Sequence, residues 1–324
     1  MMKFFEFIYQ GISRLRNYFY DRDWLESVQL DRPVVSVGNL SFGGTGKTPC
    51  LIFLAEKLSP SLKVAIICRS YKTQAIEPQR VDATKDRAAQ IFGDEACLLQ
   101  KRLPQCVVWS GPRKYRTAQA ALVKDHPQLI LIDDGFSHRR LKRNFDLVLV
   151  DATKGTKDYW REGLNSLKRA HAVVITKTNL VGHEQVEHLK RLILRSHPHL
   201  QNVLFESQTQ TVLNISKTQP LFIFCGLAHP ESFRVALEQQ GFKIHTFIKR
   251  IDHAVYTESE QAKIYEQFQQ VQRQIPSLQL VTTEKDRVKL TNQNLLKEVH
   301  VTSHQFVMSN TDEVGLLEKI RTTL

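Results

Sequence analysis

The apolar N-terminus of this sequence is too short and too charged to read as a transmembrane helix, which needs about 20 consecutive apolar residues. Cysteine is scarce and scattered: five residues, Cys50, Cys68, Cys97, Cys106 and Cys225, odd in number and never spaced as CxxC. That pattern argues against a zinc ribbon and a disulfide framework and fits a reducing cytosol. Cys50, Cys68 and Cys225 lie inside apolar runs, where cysteine serves as a small buried hydrophobe. Acidic residues are in deficit, 33 against 45 Lys and Arg, for a formal net charge of +12. The imbalance points to an anionic partner: nucleic acid, a phosphorylated substrate or an anionic membrane surface. C2H2 spacing, RNP-type aromatics and long Lys/Arg blocks are all missing, so nucleic acid is the weaker option. Low-complexity tracts are missing too. With 42% hydrophobic and 24% charged residues over 324 positions, folding is expected throughout, as one large α/β domain plus a smaller one or two medium domains.

The first ten residues are apolar but interrupted by Glu6, and Arg14, Arg16 and the run Asp21-Arg22-Asp23 follow. Without a clean apolar core or a small-residue cleavage site, this is not read as a signal peptide. Phe4, Phe5, Ile8, Ile12, Leu15, Tyr18 and Phe19 recur at helical spacing, with Lys3, Arg14 and Arg16 as the cations. The spacing predicts an amphipathic helix, either packed on the domain or lying on an anionic membrane surface.

Pro33 to Val37 is a short β-branched run ending in Gly38-Asn39, and Lys47 to Leu58 reads as a helix with Pro49 in its first turn. Further strands are predicted at Lys63–Cys68, Leu129–Ile132, Asp146–Val150 and Ala172–Thr176, several ending in polar residues: Asp133-Asp134, Asp151 and Lys177. Continuous apolar strands alternating with helices imply a mostly parallel sheet covered on both faces. Ligands in such sheets bind beyond the carboxyl ends of the strands. After a polar stretch, Glu206 to Gln219, strand and helix patterns restart and run to Thr282. The expected division is 1–205 for a P-loop core with its N-terminal helix, 206–305 for a smaller α/β lobe, and 306–324 for a segment packing back on the core.

Between the first strand and helix stands Ser41-Phe42-Gly43-Gly44-Thr45-Gly46-Lys47-Thr48. It matches the phosphate-binding pattern GxxxxGK[ST] except that Ser41 takes the first glycine position. Main-chain N–H groups of Gly43, Gly44, Thr45 and Gly46, with the helix N-terminus behind them, suit the β- and γ-phosphates of a nucleotide. Lys47 suits phosphate charge and Thr48 suits Mg²⁺. Asp133 and Asp134 close an apolar strand, where a Walker B carboxylate meets the metal. Phosphoryl transfer to a hydroxyl also needs a group to take the acceptor's proton. Spacing offers Asp94, Asp151, His138 and Asp252/His253 without ranking them.

The chain resembles the tetraacyldisaccharide 4′-kinase family, which phosphorylates a lipid A precursor. The resemblance begins with Ser36-Val37-Gly38-Asn39-Leu40-Ser41-Phe42-Gly43-Gly44-Thr45-Gly46-Lys47-Thr48-Pro49, more specific than the phosphate loop alone. It continues through Gly93-Asp94-Glu95, Asp133-Asp134-Gly135-Phe136 with His138, Arg161-Glu162, Leu167-Lys168-Arg169-Ala170, Asp252-His253 and Thr283-Glu284-Lys285-Asp286. It implies a P-loop NTPase-like fold and transfer of the ATP γ-phosphate to the 4′-hydroxyl of a tetraacyl disaccharide 1-phosphate. The setting it implies is peripheral, at the cytoplasmic face of the Gram-negative inner membrane. It makes Asp94 the base, supported by His253; gives Thr48, Asp133, Asp134 and Glu162 to Mg²⁺; and gives Arg69, Arg113 and His138 to phosphates or substrate. The chain departs from the family pattern at Arg69-Ser70-Tyr71-Lys72 (family Arg-Gly-Tyr-Gly), at Ser137 and Ala254, and in a shortened stretch before Arg161. Two rival classes are a P-loop GTPase, suggested by Thr176-Lys177-Thr178-Asn179, and a membrane-surface protein that binds nucleotide without catalysis. Against the first, Asn179 puts an amide where guanine needs a carboxylate.

Overall fold

The computed structural model describes residues 11, 15–41, 43–70, 73, 76–154, 163–252 and 254–324. Helix α1 is helical over residues 15–21. Eight strands make the first sheet: β1 (Val34–Asn39), β2 (Val64–Arg69), β3 (Gln79–Arg80), β4 (Val107–Gly111), β5 (Leu129–Asp133), β6 (Phe145–Asp151), β7 (Ala172–Thr176) and β8 (Leu204–Glu206). Their order is β3-β4-β2-β5-β1-β6-β7-β8, parallel throughout except where β3 meets β4. Strands β1, β5, β6 and β7 are buried at every residue, as aliphatic runs covered on both faces must be.

Alternate residues of these strands feed opposite layers. Leu147 and Leu149 of β6 join Leu51 and Leu54 of α2 (Lys47–Leu58) in one cluster. Val148 and Val150 face the other way, packing with Val186, Leu189 and Ile193. Helices α3 (Ala88–Phe92) and α4 (Asp94–Arg102) meet at Gly93, whose φ of +96° makes the sharp corner that glycine allows. Helix α5 (Lys114–Asp125) sets Ala118 and Ala121 against Trp109, Ile130 and Ile132; the apolar stripe of α6 (His183–Ser196) is the Val186, Leu189 and Ile193 just named. Each of the Val, Leu and Ile side chains, once fully buried, contributes about 1.5–3 kcal/mol.

The second sheet has β9 (Gln208–Val212), β10 (Leu221–Cys225), β11 (Ile244–Lys249), β12 (Gln279–Thr283) and β13 (His300–Val307), in the order β11-β10-β12-β13-β9. On one face, α7 (Pro230–Gln239) sends Phe233 and Leu237 against Ile223 and Cys225. On the other, α8 (Glu258–Gln274), started by a Thr257/Glu260 capping box, sets Ile264 and Phe268 against Phe222 and Phe224. The short helices α9 (Glu284–Arg287) and α10 (Gln293–Glu298) link β12 to β13. Part of the stretch read from sequence as a polar connector is strand β9, antiparallel to β13.

Helix α11 (Asn310–Arg321) follows, and its Leu316, Leu317 and Ile320 join the same cluster as α2. Phe53 of α2 meets Phe306 of β13 with centroids 5.4 Å apart. Arg102 of α4 is 2.9 Å from Glu284 of α9, and Arg87 is 3.1 Å from Glu258 of α8. The second sheet is therefore held against α2 and α4, the two helices that begin at Lys47 and Asp94.

Candidate active site

β1 lies between β5 and β6, where the sheet's strand order reverses and the carboxyl-end loops open a crevice. The loop leaving β1 is held open from two sides. Asn39, buried at the end of β1, donates through Nδ2 to the Ser41 carbonyl (2.6 Å) and to Thr45 Oγ1 (2.9 Å). Thr176, ending β7, donates its hydroxyl to the Thr45 carbonyl at 3.1 Å. Gly43 and Gly46 take φ of +96° and +92°, conformations that side chains resist. Ser41 is buried, while Gly43 and Gly44 are exposed. Gly46 caps α2, so the N–H groups of its first turn, including those of Lys47 and half-buried Thr48, face the crevice with the helix dipole behind them.

β5 brings the acidic pair beside this loop, because its register sets Asp133 against Val37 of β1. The turn after it folds back on β1: a Cβ on Gly135 would stand 2.5 Å from Ser36 Cβ, and one on Gly38 2.3 Å from Phe136 Cβ. Asp134 takes φ +52° to make that turn. Lys114 Nζ donates to the Asp134 carbonyl at 2.6 Å, and Lys47 Nζ lies 3.9 Å from Asp134 Oδ1. Asp133 is buried, and its Oδ1 accepts no hydrogen bond from the described residues. Burial first, then the Glu95 carboxylate, push its carboxyl up to about 7, against the opposite pull of Lys114 and Lys47. A dry carboxylate oxygen without a donor, crowded by other acids, suits a hard cation.

Asp94 and Glu95 open α4, both half-buried, with Asp94 Oδ1 accepting from the Glu95 N–H at 2.9 Å. From the second sheet, Lys285 Nζ donates to Asp252 Oδ1 at 3.0 Å. Burial pulls the Lys285 ammonium down, but Asp94, Asp252 and Glu95 outweigh it and hold the group above its usual value. One cation thus serves carboxylates from both sides of the crevice. Asp286 of the same turn is fully buried and accepts from the Gly226 N–H (2.9 Å) and Thr283 Oγ1 (2.7 Å).

The structure brings Lys47, Asp133 and Asp134 together. Arg69, Arg113 and His138 stand on neighbouring carboxyl-end positions, at the end of β2 and after β4 and β5; the two arginines are exposed and His138 is half-buried. His253 and Glu162 lie outside the described residues, as does most of the N-terminal amphipathic pattern. Asp151 is engaged by Lys177 Nζ (2.6 Å) and by Thr153. Asn179 donates to the Thr209 carbonyl (3.0 Å) and accepts from its N–H (2.9 Å), so both halves of its amide serve the junction with β9.

Sequence reading missed Lys114, which follows Arg113 in no recognisable motif, and the clamp made by Asn39. Lys285 stands in the motif Thr283-Glu284-Lys285-Asp286, but only its place across the crevice from Asp94 makes it a site residue. Among the described residues, no three His, Cys, Asp or Glu side chains converge as a metal cage.

The profile of the tetraacyldisaccharide-1-P 4′-kinase family matches residues 1–324. The tetraacyldisaccharide 4′-kinase of Bdellovibrio bacteriovorus is 34% identical over 302 residues, 88% of this chain and 87% of that protein. The enzyme of the same name from Desulfotalea psychrophila is 32% identical over 302 residues, 87% of this chain and 85% of its own length. Among solved structures, LpxK from Aquifex aeolicus in complex with ATP superposes with a TM-score of 0.73 at 26% identity, covering 98% of this chain and 97% of that one.

Proposed function

The chain belongs to the tetraacyldisaccharide-1-P 4′-kinase family, and from that membership we propose how its residues divide the reaction. It is an ATP-dependent lipid kinase of lipid A biosynthesis, moving the γ-phosphate to the 4′-hydroxyl of a tetraacyl disaccharide 1-phosphate. The N–H groups from Gly43 to Thr48 hold the β- and γ-phosphates, and Lys47 offsets their charge. Mg²⁺ would be held by Asp133, Asp134 and Thr48, with Glu162, and would neutralise and align the phosphate oxygens. The buried Oδ1 of Asp133, which has no donor among the described residues and feels the Lys47 charge, is the observation that carries this reading.

Asp94, supported by His253, takes the proton of the 4′-hydroxyl as its oxygen attacks the γ-phosphorus. The bond from that phosphorus to the β–γ bridging oxygen breaks, and ADP leaves. Arg69, Arg113 and His138 bind phosphate oxygens or the acceptor's own phosphate, which their carboxyl-end placement supports. The residues divide as 1–205, a phosphate-binding core; 206–305, a lobe closing over the nucleotide; and 306–324, a segment returning to the core, as Leu316 and Ile320 in the shared cluster suggest.

The acceptor lies in a bilayer, since each buried CH₂ holds it there by about 0.8 kcal/mol. Among the described residues no helix is long and apolar enough to cross a membrane. Arg139 ties the end of α1 to the core, donating to the Asn17 carbonyl (2.7 Å) and to Asp21 Oδ1 (2.6 Å). Leu15, Tyr18 and Trp24 stay exposed, at 55%, 46% and 67%. That apolar edge, with the basic balance of the chain, supports docking on the anionic cytoplasmic face of the inner membrane; a nucleic-acid partner is no part of this reading.

Labelled γ-phosphate transfer from ATP tests the assignment. Label should reach a tetraacyl disaccharide 1-phosphate and not its unacylated counterpart; equal labelling of both, or of neither, overturns the acceptor assignment.

A further inference from the structure

Beyond the end of β10, His229 reaches the phosphate loop from the second lobe. A Cβ built on Gly43 would stand 3.6 Å from Nε2 of His229, so the imidazole rests in contact range over the middle of the loop. The three anchors holding His229 all come from its own lobe. On the upstream side, the buried Asp286 carboxylate accepts from the Gly226 N–H at 2.9 Å and fixes the exit from β10. Downstream, Pro230 begins α7 and keeps the residue before it out of the helical region; His229 caps the helix at φ −129° and ψ 70°. Phe233 and Leu237 then fix α7 in the core.

Gly43 is the third residue of the eight-residue phosphate pattern, on the stretch whose N–H groups face the outer phosphates of a bound triphosphate. Lys47 approaches those phosphates from the first lobe, on the side of Asp134. His229 approaches from the second lobe. An imidazole can donate from Nε2 in one neutral tautomer and in the cation. A donor supplied to a transferring phosphoryl group from a neighbouring unit is a known device of phosphate-loop enzymes, usually with arginine in the role.

We propose that His229 donates a hydrogen bond to the terminal phosphate of the bound triphosphate, making it a substrate-contacting residue by which the second lobe distinguishes ATP from ADP. This rests on the nucleotide-binding reading of the loop. It adds a group that none of the sequence motifs singled out.

The test compares affinities for ADP and for a non-hydrolysable ATP analogue, each with Mg²⁺, in the full-length wild type, His229→Ala and His229→Gln. His229 is exposed, so both variants should fold, checked by unchanged melting. In His229→Ala the analogue should bind about tenfold more weakly, equivalent to about 1.4 kcal/mol, with ADP affinity within about twofold of wild type. His229→Gln, which keeps a donor, should recover part of the loss. Equal losses for both nucleotides, or no change for either, overturn the role of His229 while leaving nucleotide binding intact. A wild type that binds neither nucleotide overturns both the loop's assignment and this inference.

Discussion

Asp133→Asn should make the metal-free protein more stable above neutral pH while abolishing phosphate transfer. The folded carboxyl is pushed up to about 7 from an ordinary 3.8, by burial first and Glu95 second. Between those values the folded state keeps a proton that the unfolded chain has released, so stability falls as pH rises across the window. Below about pH 4 both states are protonated and the effect vanishes; above about pH 7 the full cost is present. A gap of about three pH units at about 1.4 kcal/mol each sets an upper figure of about 4 kcal/mol. Asparagine mimics the neutral acid but leaves an amide in the same dry place, so about half of that is expected: about 2 kcal/mol, or a rise in Tm of about 4 °C. Melts of both proteins in EDTA at pH 4 and pH 8.5 give the comparison, the variant matching wild type at the lower pH and exceeding it at the higher. Adding Mg²⁺ and nucleotide should stabilise wild type more than the variant and shrink the gap. A variant less stable than wild type at pH 8.5, or a difference independent of pH, refutes the electrostatic reasoning.

Asn39→Ala removes both side-chain bonds that hold the phosphate loop; it should cost about 1–3 kcal/mol and raise the KM for ATP, read by melting and steady-state kinetics. Gly38→Ala puts a methyl 2.3 Å from Phe136 Cβ, so the chain should lose at least 1–3 kcal/mol (about the usual cost of overpacking) in urea unfolding. Asn179→Asp should not create a preference for GTP, because the side chain is engaged with Thr209. It should instead destabilise by about 1–3 kcal/mol by setting a carboxylate against a carbonyl, and a switch toward GTP in competitive binding would show that this side chain faces the base. Removing residues 1–21 should weaken partitioning onto anionic liposomes; unchanged partitioning argues against the docking role of α1.

The first sheet was legible because its central strands announce themselves. β5 and β7 are aliphatic up to their last residue, β1 and β6 carry aliphatic stretches broken by Ser36 and Asp146, and the helix from Lys47 to Leu58 coincides with α2. β9 was not, because Gln-Thr-Gln-Thr-Val reads as a polar connector, and it becomes a strand only by pairing with β13. β13 itself, His-Val-Thr-Ser-His-Gln-Phe-Val, has too little apolar alternation to stand out. At the site, the phosphate loop and acidic pair could be found by spacing, since their geometry is local. Lys114, Lys285 and His229 could not. Each reaches the crevice through tertiary packing, from an element whose own sequence says nothing about phosphate. The same holds for the raised carboxyl of Asp133, set by burial and by the charges of Glu95 and Lys114 arriving from elsewhere in the chain.

The direct test of the catalytic arrangement is the turnover of Asp94→Asn with ATP and a tetraacyl disaccharide 1-phosphate, beside its affinity for ATP. Loss of the base should lower kcat at least about a hundredfold and leave nucleotide affinity close to wild type. Turnover that survives the substitution, or a loss explained entirely by weaker ATP binding, contradicts the assignment of Asp94 as the group that takes the acceptor's proton.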